Sequence, residues 1–138
     1  MDSVSSTPLS DSIVSACRTG LGDELRSVVY FTPDEFEPLY LRRDLAGDEA
    51  AHGAEAALVE NERLATWPEG PYVDRPHDPD LSPTLGDYEC TVRMFSGGFV
   101  GRVVVGRRGV IVTTDELDVR AFEELAVSLR SLLAEGSG

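Results

Sequence analysis

Between positions 87 and 133 the hydrophobic and polar residues alternate in a way that predicts three strands and a helix joined by minimal turns. Residues 88–95, 99–105 and 110–113 are β-branched and aromatic runs, separated by Ser96-Gly97-Gly98 and by Gly106-Arg107-Arg108-Gly109. Two successive hairpins are the natural outcome. A helix then begins near Asp118. It sets Val119, Phe122, Leu125, Ala126, Leu129, Leu132 and Leu133 on one face and Arg120, Glu123, Glu124 and Arg130 elsewhere.

Upstream, Leu9, Ile13, Cys17 and Leu21 recur every fourth residue, which predicts a helix over 9–20 capped by Ser10 or Asp11 and ended by Gly20 or Gly22. Residues 25–31 carry Val28, Val29, Tyr30 and Phe31 in succession, a run apolar on both faces that suits a central strand. After Thr32-Pro33-Asp34, residues 39–45 place Leu39 and Leu41 inward against Tyr40, Arg42 and Asp44, with Pro38 at the entrance. That pattern predicts an edge strand. Residues 48–65 predict a second helix with Ala51, Ala54, Leu58 and Ala65 on a weakly apolar face and Glu55, Glu62 and Arg63 opposite.

Residues 67–86 contain Pro68, Pro71, Pro76, Pro79 and Pro83, a spacing that argues against helix and interior strand alike and predicts a long, acidic, mobile connection. Residues 1–8 and 135–138 are expected to be disordered. One α+β domain over 9–134 remains, with the order α-β-β-α-β-β-β-α and no internal repeat.

Composition adds habitat. At 138 residues and 41% apolar content, one domain can bury a core without disulfides or metal. The two cysteines, Cys17 and Cys90, are expected to be reduced and buried. No run is long and apolar enough for a membrane span, and the polar first ten residues do not resemble a signal peptide, so a cytoplasmic protein is expected. Twenty-five acids oppose twelve basic residues, all of them arginine, for a net charge of −13. Self-repulsion of that size is tolerable where concentrated salt screens it, so the composition points to a salt-accumulating halophile. An acidic mimic of nucleic acid would cluster its acids, and here they are spread.

Candidate chemistry is sparse. His77 lies among Asp74, Asp78 and Asp80, but two prolines interrupt the group and it offers one imidazole, so a solvated loop is the better reading and no metal site is expected. His52 stands alone on the second helix. Gly97, Gly98 and Gly101 separate strands instead of opening a helix, which argues for turns and against a phosphate loop. No serine, cysteine or threonine has a base placed for it by sequence; no catalytic residues and no cofactor are expected, and the protein is read as a non-enzyme.

Two sets of residues stand out. From Cys90 to Thr114 there is no acid, while Arg93, Arg102, Arg107 and Arg108 form a positive island. Arginine forks suit carboxylate or phosphate, so the island is a candidate site for an anionic partner. The competing reading pairs these arginines with nearby Asp and Glu, and sparse aromatic interleaving argues against nucleic acid. The second set is the strand over 88–95. Tyr88, Cys90, Val92 and Met94 share one of its faces, and it lacks the proline and charge that guard the strand over 39–45. Antiparallel pairing of two copies at that edge, covering the alanine-rich helix face, predicts a homodimer.

The order of elements over 9–133 is similar to the roadblock/dynein light-chain fold and its profilin-like relatives. That resemblance implies a five-stranded antiparallel sheet in the order 2-1-5-4-3, with the second helix on one face and the first and third on the other. The segments Ser15-Ala16-Cys17-Arg18-Thr19, Gly22-Asp23-Glu24-Leu25-Arg26-Ser27-Val28, Leu39-Tyr40-Leu41-Arg42-Arg43-Asp44-Leu45 and Gly109-Val110-Ile111-Val112-Thr113-Thr114-Asp115 also resemble a family of short proteins from halophilic archaea without an assigned activity. The roadblock resemblance implies a homodimeric scaffold or regulatory module, with a small GTPase or motility-type complex as the protein partner. The alternative is a profilin- or PAS-like small-ligand sensor with a cavity between helix and sheet.

Overall fold

A computed structural model describes residues 8–47, 49–66, 82–86 and 89–135. The chain runs through α1 (Pro8–Leu21), a 3-10 turn (Gly22–Glu24), β1 (Leu25–Phe31), β2 (Phe36–Leu41), α2 (Arg43–Ala46) and α3 (Glu49–Thr66). It continues through α4 (Ser82–Leu85), β3 (Thr91–Phe95), β4 (Gly98–Val105), β5 (Arg108–Thr114) and α5 (Val119–Glu135). The strands form one antiparallel sheet in the order β2-β1-β5-β4-β3, as the roadblock resemblance implies.

The sheet separates two cores of unequal size. On one side α1 contributes Ile13 and Cys17, and α5 contributes Phe122, Leu125, Ala126, Leu129 and Leu133, over Leu25, Val28, Val103, Val110 and Val112. On the other, Val59 of α3 meets Val29, Phe31, Val100 and Ile111. Strands β1, β4 and β5 feed both cores, which is why their sequences run apolar without strict alternation. Gly101 lets α5 approach: a Cβ there would lie 2.2 Å from the Phe122 ring. Asp118 caps α5, its Oδ1 accepting the Ala121 N–H at 3.1 Å.

Several expectations are corrected. The second strand occupies Phe36–Leu41, not 39–45, and Arg43–Ala46 turns into a short helix. Pro38 therefore sits inside β2, beside a register shift between Val28 and Val29 where a missing N–H is tolerated. Leu39 is the extra residue at that shift, so Leu39 and Tyr40 both reach the larger core while Leu41 points to the other side. Strand β3 is shorter than 88–95, beginning at Thr91. Val119, placed by periodicity on the buried face of α5, is exposed because it stands in the first turn, beyond the sheet. Pro83 lies in the short helix α4, within its first turn, where no N–H is required. Residues 67–81 and Tyr88 fall outside the described residues, and with them the expected loop mobility and the His77 group.

The largest correction concerns α3. Its most buried residues are Glu55, Val59 and Glu62, at i, i+4 and i+7; of the expected stripe Leu58 packs partly against the smaller core, while Ala54 and Ala65 are exposed.

Candidate functional site

Glu62 is fully buried, and a carboxylate without solvent must have its oxygens satisfied by the protein. Arg93 of β3 donates from Nε to Glu62 Oε2 at 2.6 Å and from Nη2 to Oε1 at 3.3 Å. Arg102 of β4 donates from Nη1 to Glu62 Oε1 at 2.9 Å and from Nη2 to Thr91 Oγ1 at 2.9 Å. The bonds run from two adjacent strands to one helix, so α3, β3 and β4 are held as one unit.

The four island arginines do not converge. Arg93 and Arg102 meet at Glu62 on the α3 side. Arg108 turns to the α1/α5 side, where Nε donates to the Tyr30 hydroxyl at 2.9 Å, Nη1 donates to the Leu133 carbonyl at 2.8 Å, and the guanidinium lies 5.7 Å from the Tyr30 ring centroid. Arg107 is exposed in the β4–β5 turn. The acid that gathers Arg93 and Arg102 lies about thirty to forty residues away in sequence (31 and 40) and on another element, so a search among neighbouring acids misses it. The spacing of Glu55, Val59 and Glu62 was the available signal.

Among the described residues, strand β3 is the last strand on its side of the sheet. Thr91, Arg93 and Phe95 face α3, and Val92 and Met94 face the α1/α5 side but lie outside its core. Of eight exposed large hydrophobic residues among those described, three are on this five-residue strand: Val92 (41%), Met94 (78%) and Phe95 (55%). Apolar exposure is thus concentrated at one edge. Cys90 precedes the strand, half-buried against the larger core, and burial raises its thiol pKa.

A second feature lies under the middle of α3, from Ala54 to Asn61. There the helix stands off the sheet and leaves a pocket of about 570 Å³ walled by Ala54, Leu58, Leu41, Leu45, Phe95 and Phe99. Its floor includes Val100 and the Ser27–Thr113 hydroxyl pair, 2.6 Å apart, and Glu55 lines it while being only 7% exposed. At one end Arg26 donates to Asp115 at 2.9 Å, and Asp115 also accepts from Arg42 at 2.6 Å. Arg42 in turn donates to Asp44 at 2.7 Å. Hydrogen bonds from Arg42 and then Arg26 hold the Asp115 carboxyl below the usual carboxylate range, and Arg42 does the same for Asp44. The Arg42, Arg43 and Asp44 group expected to guard the second strand lies beyond its end, and Arg42 and Asp44 tie the start of α2 to the loop after β5. Among the described residues no three His, Cys, Asp or Glu are grouped to hold a metal ion, and no helix is long and apolar enough to cross a membrane.

A family model described as a domain of unknown function, DUF7522, matches residues 11–134, and the chain belongs to that family. No curated protein matches it. Among solved structures, MglB of Myxococcus xanthus is similar to this chain with a TM-score of 0.55 at 11% identity, over 94% of this chain and 92% of that one. At that identity the likeness carries the fold, which is of the roadblock type.

Proposed function

We propose that this chain is a non-enzymatic, homodimeric interaction module of the roadblock type, a scaffold or regulator of another protein in a halophile cytoplasm. The observation that carries the reading is the β3 edge, where the last strand of the sheet carries exposed Val92, Met94 and Phe95. Antiparallel pairing of two such edges extends the sheet and removes apolar surface from water. Each copy contributes the same patch, as a two-fold interface requires. The Glu62 cluster supports the reading by fastening the edge strand to α3, which lowers the ordering cost of association. Cys90 sits at the margin of the same edge. The partner class, a small GTPase or a motility-type complex, follows from the fold resemblance alone, and Arg107 is an exposed contact for acidic groups on it.

Light scattering after size exclusion in concentrated KCl tests the pairing. A dimer is expected, and Met94→Glu, which sets like charges across the two-fold, is expected to yield folded monomers. A monomeric wild type, or a dimer indifferent to Met94→Glu and to Val92→Pro together, removes the reading. The salt requirement is checked separately by circular-dichroism melts, in which stability is expected to fall as KCl is diluted from roughly 1 M toward 0.1 M and the Debye length lengthens from about 3 to about 10 Å.

A further inference from the structure

On the α3 side of the sheet, the central strands β1 and β5 change character within one step of their alternation. Val29 faces Ile111 across the ladder and both belong to the apolar cluster around Val59, whereas two residues along, Ser27 faces Thr113. The two hydroxyls are 2.6 Å apart, so one donates to the other. A hydroxyl has one hydrogen and two acceptor positions. The mutual bond uses one hydrogen, and the pair keeps a second O–H for which no described residue supplies an acceptor. Cross-strand hydroxyl pairs are ordinary where a sheet meets water, but Ser27 is only 5% exposed. The space this pair borders is the pocket of about 570 Å³, within the range of small-molecule sites.

The charges in the lining are already engaged. Arg26 donates to Asp115. Glu55 has its own partner, and its Oε2 is closed off from the pocket. The other polar side chain that α3 contributes, Asn61, is a neutral amide. An ion entering here would lose its hydration without meeting a counter-charge, a loss that a neutral molecule does not incur. Most of the remaining wall is apolar and partly aromatic, with Leu58, Phe95 and Phe99 the nearest to a ring-sized body. What the floor lacks is an acceptor for its second O–H, and a carbonyl or ether oxygen supplies one.

We infer that the pocket between α3 and the sheet binds a small neutral molecule with an apolar ring and an acceptor oxygen, the ring among Leu58, Phe95 and Phe99 and the oxygen accepting from the Ser27–Thr113 pair. Pairing at β3 is not required for this: a monomer can hold the ligand and a dimer can lack it.

Four probes of similar size test it in methyl proton–carbon correlation spectra of the full chain in concentrated KCl: benzylacetone, n-butylbenzene, phenethylammonium and 3-phenylpropionate. Benzylacetone, a neutral ketone, is expected to shift the methyl signals of Leu58 and Val100 saturably, and neither ion should do so. Ser27→Ala combined with Thr113→Val removes both hydroxyls at nearly constant volume. It should weaken the ketone roughly fivefold, the share of one neutral hydrogen bond, while n-butylbenzene, which has no oxygen, binds the variant at least as well as the parent. Ser27→Leu, which builds apolar bulk up from the floor, should abolish binding of both and serves as the second variant should the double one unfold. Absence of saturable shifts, an ion that binds as tightly as the ketone, a double variant that treats ketone and hydrocarbon alike, or full binding to Ser27→Leu overturns the inference.

Discussion

The two faces of the sheet are built on different principles. The α1/α5 face is a continuous apolar core in which two helices close over three strands, and its residues are almost wholly hidden. The α3 face has a small apolar patch flanked by a buried ion cluster on one side and a hydroxyl-floored pocket on the other. Apolar burial contributes stability without direction, whereas buried charges stabilise only in one geometry. The first face therefore holds the fold, and the second fixes where α3 and the β3 edge lie relative to one another.

The sharpest contrast is expected from truncations. Leu129→Ala, at a fully buried position in the larger core, should cost roughly 2–5 kcal/mol in urea unfolding. Val59→Ala should cost less, because it removes fewer carbons from a smaller cluster. Equal losses would mean that both faces are packed alike. Glu62→Ala leaves Arg93 and Arg102 facing each other without their anion. Its expected cost is about 3 kcal/mol, the low end for a broken buried pair because Arg93 is 37% exposed. A neutral outcome would show the cluster to be ornamental to the position of α3.

Smaller effects separate the rim from both cores. Asp115 has its pKa lowered in the folded protein, chiefly by the Arg42 hydrogen bond, relative to about 3.9 for an unfolded aspartate. Its contribution is complete above that value and is lost as pH falls through the lower folded pKa. Acid titration should accordingly show a shallower loss of stability below about pH 4 for Asp115→Asn than for the parent, and the change should be modest because the carboxylate is over a third exposed. Thiol labelling gives the least perturbing comparison. Burial pushes the Cys17 thiol up to about 12, and raises Cys90 from a half-buried position. Cys90 should react first with a disulfide reagent and Cys17 only on unfolding, and the reverse order would misplace the boundary of the larger core.

Which strands are central could be anticipated because burial on both faces leaves a plain record, while their order was what the roadblock resemblance implied. Val28-Val29-Tyr30-Phe31, the run from Val103 to Val105 and Val110-Ile111-Val112 have apolar residues where an edge strand would alternate. The α5 periodicity was as plain, since Phe122, Leu125, Ala126, Leu129 and Leu133 all lie on the buried face. Reading α3 by the same rule failed. Alanines mark a weak apolar stripe, yet the sheet beneath offers two arginine side chains, and a glutamate that meets them is better satisfied there than an alanine would be. Hydrophobicity scales treat Glu62 as an outward residue, and only the partner strands make it an inward one.

By itself the sequence determined the five strands and three long helices with their order, which strands are central, the helix with the strongest face, and the acidic balance of the chain. These properties are local or compositional, so neighbouring residues are enough to specify them. Tertiary structure alone decided the rotation of α3, the meeting of Glu62 with Arg93 and Arg102, the end of β2 at Leu41 and the pocket above Ser27 and Thr113. Each of these depends on what stands opposite across the sheet. A charge buried against its counter-charge and a pocket left between helix and sheet are properties of pairs of elements, and no single segment encodes them.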